Sequence, residues 1–259
     1  MEVNILILLI LALAIIIGST MGFGDSLVFI PISSLFIDAR ASIVIMGFWS
    51  MALSILNAIN YRSFIDKKLL KKYTIPGFIG VILGSLLIII LETRWIEFGL
   101  GIFVLSYIVL KLIEIKKVKQ NNEEMITLIN QRNLNSIPNY LFYSGAFSYS
   151  FLAALIGASG PINVVLLERT GYVRESFIGN FAIISVTINS FRLFMYVANN
   201  LFPIELLITF IIGFGVLFIV TKIGHKITPK IPKEKFELII LILLAIISIR
   251  LIINSIFFY

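Results

Sequence analysis

Apolar residues fall in blocks far longer than the roughly four to eight residues of a buried strand, and the first, Asn4 to Met21, reaches deep into a bilayer if helical. It stops at Gly22-Phe23-Gly24-Asp25, two glycines and a carboxylate at a depth where lipid supplies neither water nor a partner. Ser26 to Ile37, with Pro31 inside it, is about 12 residues, roughly 18 Å as a helix, and short for an upright crossing. Full spans are predicted over Ala41 to Tyr61, Tyr73 to Leu91 and Ile96 to Leu110, the last two joined by Glu92-Thr93-Arg94. Lys111 to Ser136 is a hydrophilic linker. The order then recurs: Pro138 to Ile156, a break at Gly157-Ala158-Ser159-Gly160-Pro161, a short segment Ile162 to Leu167, and spans Phe177 to Val197, Ile204 to Thr221 and Phe236 to Phe258. The expected fold is an all-α polytopic membrane protein, with a first repeat over residues 1–113, a cytoplasmic linker over 114–137 and a second repeat over 138–259.

The two breaks lie 135 residues apart, and a polar stripe keeps the same step. Ser50, Ser54, Asn57 and Tyr61 fall on Ser185, Asn189, Arg192 and Tyr196, and Gly80 falls on Gly215. Spacings of 4, 3 and 4 put each set of four on one helical face. Counting Lys and Arg decides how the repeats are oriented. If the short segments do not cross, the basic residues divide 10 to 9; if each completes a crossing, they divide 17 to 2, with Arg40 and Arg94 outside and Arg192 and Arg250 within spans. Only the second follows the positive-inside rule. Two inverted repeats of about five segments each are therefore expected, with broken helices meeting near the midplane and both termini outside.

Composition agrees: 59% of the 259 residues are hydrophobic, and mean hydropathy is +1.04. The start of the chain lacks the basic region of a signal peptide, so it is expected to belong to the folded protein. The net charge of +7 is explained by basic loops, so nucleic acid is not an expected partner. With no cysteine, disulfides and thiolate metal sites are excluded. The single histidine, His225, is read as a solvated residue of a Lys-rich loop, and neither a metal site nor a cofactor is expected. The spans hold no paired catalytic acids, so an enzyme is not expected.

In an inverted repeat the short helices begin near the centre, and their N-termini offer free N–H groups and partial positive charge to an anion. The expected substrate-binding set is Gly22, Phe23, Gly24, Asp25 and Ser26 at the first break, Gly157, Ala158, Ser159, Gly160, Pro161 and Asn163 at the second, and Asn57, Asn189 and Arg192 on the stripes. An arginine inside a span costs about 3 kcal/mol, so Arg192 is read as an anion ligand, against the alternatives of a buried pair with Asp25 or a snorkelling side chain. Asp25 reads as the N-cap of the short helix or as a carboxylate that couples protons. Ser159 reads as a cap, and Pro31 suggests a helix that starts late or kinks.

Four features together resemble the TauE/SafE family of sulfite-exporter-like transporters. They are Gly22-Phe23-Gly24-Asp25-Ser26 running to Pro31, its echo at Gly157 to Pro161, the basic Tyr61 to Lys72 before Pro76-Gly77-Phe78, and the duplicated layout. Family members usually have more glycine where this chain has Asp25 and Ser26. The resemblance implies a secondary transporter of small sulfur-containing or organic anions, such as sulfite, sulfoacetate or thiosulfate, in a prokaryotic plasma membrane. The lipid bilayer and coupling protons are its expected partners, and a passive anion channel is the alternative.

Overall fold

The structure, a computed structural model, describes residues 2–21, 24–120, 137–172, 174–227 and 233–257. It is helical without strands among the described residues. The first half forms α1 (Glu2–Met21), α2 (Asp25–Ser33), α3 (Ala39–Asn60), α4 (Lys67–Ile90) and α5 (Thr93–Gln120). The second half forms α6 (Asn139–Ile156), α7 (Gly160–Arg169), α8 (Arg174–Ala198), α9 (Leu207–Ile227) and α10 (Lys233–Phe257). Six of them, α3, α4, α5, α8, α9 and α10, are long and apolar enough to cross a membrane. Apolar side chains such as Ile75, Ile90, Phe194 and Ile208 face outward, as lipid-facing residues do.

The repeat step survives in the helices. From Asp25 to Gly160, where the short helices start, the distance along the chain is 135 residues, and so it is from Ala39 to Arg174, where the long stripe-bearing helices start. Several expected ends shift: α4 starts at Lys67 rather than Tyr73, and α2 ends at Ser33 rather than Ile37. α5 continues to Gln120 and α9 to Ile227, so parts of the Lys-rich stretches expected as loops are helical. Lysine favours helix well, and a polar helix end beyond the bilayer has no apolar signal. Gly22, Phe23 and residues 121–136 lie outside the described residues.

Each half gives its fourth helix to the other. α4 packs on α6 and α8, α9 packs on α1, α3 faces α8, and α5 faces α10. Within lipid, such contacts depend on close packing because burial of apolar surface no longer drives association. On α4, Gly77, Gly80 and Gly84 supply that closeness: a Cβ at Gly80 would lie 2.5 Å from the Phe147 carbonyl oxygen of α6. α4 and α6 run parallel, since Lys72 meets Asn139 near their starts and Gly84 meets Ala154 near their ends. α3 and α8 run antiparallel: Gly47 meets Arg192, and Tyr61 meets Gly179.

Contacts at the turns sort the loops onto two ends of the bundle. At one end the Asp66 amide donates to Asn180 Oδ1 (2.8 Å), the Tyr172 hydroxyl donates to Asp66 Oδ2 (2.6 Å), and Lys72 Nζ donates to Asn139 Oδ1 (2.7 Å). At the other, the Thr93 hydroxyl donates to Asp38 Oδ2 (2.9 Å) and Arg40 donates to the Leu91 carbonyl. Arg62, Lys67, Lys68, Lys71 and Lys72 thus share an end with Asn139 and Tyr172, and Arg40 and Arg94 lie at the opposite one. Asp38 and Asp66 are carboxylate N-caps, accepting from Arg40 and Ala41 and from Lys68 and Leu69. Tyr172 also holds the Asp66 carboxyl below its ordinary range, and burial with Asp66 pushes the Tyr172 hydroxyl up.

Candidate functional site

A cavity of about 410 Å³ lies along the α3/α8 seam. The two polar stripes line it from opposite walls: Ser50, Ser54, Asn57 and Tyr61 from α3, and Ser185, Asn189 and Arg192 from α8. Both breaks open onto it through Gly24, Asp25 and Ser26 on one side and Gly157, Ser159 and Gly160 on the other. A 3.6-residue period is what gathers each stripe on one face, and the antiparallel pairing brings the faces together.

The starts of the short helices differ from expectation in detail. Gly24, in the left-handed region at φ 100°, is the residue before α2, and Asp25 is its first helical residue rather than its N-cap. The carboxylate turns back on the adjacent amide instead, with Ser26 N–H donating to Asp25 Oδ1 at 2.8 Å. Pro31 lies in the last turn of α2, which starts at Asp25, so the helix does not start late. Ser159 occupies the N-cap position of α7 but makes no side-chain cap bond, and Pro161 follows in the first turn. Both N-termini therefore keep amides free of side-chain caps from the residue before them, beside the cavity.

Arg192 is neither paired with Asp25 nor snorkelling. Only 3% exposed, it makes no ion pair with the Asp25 carboxylate within 4.0 Å. Its Nη1 donates to the Ala153 carbonyl in the last turn of α6. The reason is the break itself. Gly157, left-handed at φ 74°, bonds the Leu152 carbonyl, so the Ala153 oxygen loses the N–H that an unbroken helix would give it. Tyr196, one turn on, donates its hydroxyl to the next carbonyl, Ala154. Two side chains of the α8 stripe thus close the open end of α6, and a cation there also suits the negative end of the helix. Arg192 Nε is buried without a partner, and the guanidinium borders the cavity.

Of the expected residues, Gly24, Asp25, Ser26, Asn57, Gly157, Ser159, Gly160, Asn189 and Arg192 line the cavity. Ala158, Pro161 and Asn163 do not. Ala158 is packed in the main core, and Asn163 is buried on α7 and accepts the Tyr73 hydroxyl at 3.3 Å. Asn163 Nδ2 has no partner. Tyr196 is fully buried against Ala154 rather than facing the cavity. Sequence reasoning missed Tyr149 of α6, whose hydroxyl lies 3.2 Å from Ser185 Oγ and within electrostatic reach of both Asp25 and Arg192. Its signal is the polar run Ser148-Tyr149-Ser150 in an apolar helix. Phe177, Ile178, Phe181 and Leu56 give the cavity its apolar part towards the basic end. Among the described residues no cluster of His, Asp or Glu has metal-binding geometry.

No curated protein and no solved structure matches the chain. A family model does, over residues 6–251, and its description is Sulfite exporter TauE/SafE. With both breaks, both stripes and the shared cavity inside the matched range, the chain belongs to the TauE/SafE family of membrane transporters.

Proposed function

We propose that the chain is a secondary transporter, in the export direction, of small sulfur-containing or organic anions such as sulfite, sulfoacetate or thiosulfate. The observation that carries this reading is the convergence on one cavity of two helix N-termini, two amide-bearing stripes and a guanidinium with an unpartnered Nε. Arg192, Asn57, Asn189 and the Gly160 amide at the start of α7 donate to the anion, and the N-terminal end of α2 adds its partial positive charge. Gly24, Gly157, Ala158, Gly160 and Pro161 shape the two breaks, and Ser26 and Ser159 offer hydroxyls. Asp25 is the one acidic residue of the cavity wall among the described residues and carries the coupling proton.

The repeats are inverted in this reading. Support comes from the antiparallel α3/α8 pair, because a two-fold axis that relates two antiparallel helices stands perpendicular to them and so lies in the membrane plane. The basic end then faces the cytoplasm, both termini lie outside in a prokaryotic plasma membrane, and alternating access carries the anion.

Thermal melts of the purified protein test the substrate class, since a ligand that binds the native state raises the midpoint. Sulfite or a sulfonate at millimolar concentration is expected to raise it, while chloride at equal ionic strength leaves it unchanged. Equal shifts with all anions contradict the proposal.

A further inference from the structure

The cavity is not symmetric about the seam, although the polar stripes along it keep one 135-residue step. On α8 it reaches Phe177, Ile178, Phe181 and Ala182, and on α3 it reaches Asn60 and Tyr61, all towards the basic end. The 135-residue step maps these six onto Ser42, Ile43, Met46, Gly47, Met195 and Tyr196. Four of those side chains are shut inside the core: Ser42 and Ile43 are 0% exposed, Met46 1% and Tyr196 0%. Their partners Phe177, Ile178, Phe181 and Tyr61 are only partly buried. Equivalent stretches of one duplicated seam are thus open at one end and packed at the other.

The register of the seam is self-consistent under exchange of the halves. Moving both members of the Tyr61–Gly179 contact by the repeat step gives Tyr196–Val44, and both of these lie in the main core cluster. Moving Gly47–Arg192 gives Ala182–Asn57, and both of these line the cavity. A scaffold whose halves adopt two environments at matched positions has a second arrangement at little cost, in which the halves trade environments.

Resting on the transporter reading above, we infer that Ser42, Ile43, Met46 and Tyr196 form the wall of a second route, open to the end opposite the basic loops and closed in this structure. In that arrangement the Met46 side of α3 parts from the Leu193–Tyr196 side of α8, and Phe177, Phe181 and Tyr61 pack together. Arg192, level with Gly47, stands at the closed end of the present cavity, and Asn57, which the same antiparallel register sets level with Ala182, stands at its open end, so each lies within reach of one route. A methionine at position 46, suited to repacking, fits such a wall.

The natural absence of cysteine makes the test direct. Single variants Met46→Cys, Ile43→Cys, Phe181→Cys and, as a buried core control, Ile88→Cys of the full chain are put into liposomes. A membrane-impermeant thiol reagent is applied to one face at a time, and melting midpoints confirm folding. Phe181→Cys is expected to react from the basic face. Met46→Cys and Ile43→Cys are expected to react only from the opposite face and at least about tenfold faster than Ile88→Cys, since a minor state of a few per cent suffices to expose them. Labelling of both no faster than at Ile88→Cys, or from the basic face, or from both faces, overturns the inference. The readout involves no sulfite, so a protein labelled as expected that fails to bind sulfite refutes the substrate reading alone.

Discussion

α2 and α7 enter the same cavity from the two halves of the chain, each after a left-handed glycine and a short break, yet they bring different chemistry. α2 opens with Asp25 after Gly24; α7 opens with Gly160-Pro161 after Ser159. One turn of comparison further, Asn57 on α3 stands where α8 has Arg192. The first half supplies the acid and the second half the base. What was duplicated is the backbone device, a pair of helix starts and a pair of stripes. Charge does not recur with it, so in the proposed site the two halves hold opposite roles, and each matched pair of residues becomes an internal control.

Arg192 against Asn57 gives the largest expected contrast. Arg192→Met removes the one guanidinium that lines the cavity among the described residues and strands the Ala153 carbonyl, so oxyanion affinity is expected to fall about a hundredfold or more. Stability should fall by about 1–3 kcal/mol for the orphaned acceptor. Asn57→Ala should weaken binding only severalfold, with little change in the melt. Titration of both variants with sulfite, alongside thermal melts, checks this; equal losses would mean that the asymmetry of charge has no role in binding.

Gly80 against Gly215 separates duplicated sequence from duplicated packing. A Cβ at Gly80 meets the Phe147 carbonyl, whereas at Gly215 nothing lies within 4 Å. Gly80→Ala is expected to cost about 1–3 kcal/mol by overpacking the α4/α6 contact. Gly215→Ala should be neutral or stabilising by up to about 1 kcal/mol through helix propensity alone. Unfolding in detergent, read by circular dichroism, distinguishes them.

The smallest effect is at Asp66, the cap of α4, whose matched position is Leu201. The Tyr172 hydroxyl lowers the folded pKa of Asp66 below the unfolded value. Its contribution is therefore present above the unfolded pKa and is lost as pH falls through the folded one. Asp66→Asn is expected to lower the melting temperature slightly at neutral pH and to flatten its acid limb below about 4, where variant and parent converge.

Much of this was legible in the chain. The breaks are visible because glycine and aspartate are out of place in apolar runs, and the stripes because Ser50, Ser54, Asn57 and Tyr61 keep a helical period. The basic-residue count anticipated which turns meet at the basic end. Other features depend on tertiary contacts that no local pattern encodes. Arg192 and Tyr196 close α6 because carbonyls 39 and 42 residues earlier in the chain lost their partners, and Tyr149 enters the site by position alone. Asp25 had the composition of a cap but stands one residue inside the helix. Lys-rich helix ends such as those of α5 and α9 look like loops whenever apolarity is the guide.

The central claim is that one cavity, alternately open to the two sides, carries a small oxyanion. Counterflow in liposomes tests it most directly: vesicles loaded with excess unlabelled sulfite are diluted into a trace of labelled sulfite. The account predicts transient accumulation of label above equilibrium, saturable with sulfite and absent with Arg192→Met. Label that only equilibrates, at a rate rising linearly with concentration, would contradict it and mark the protein as a channel.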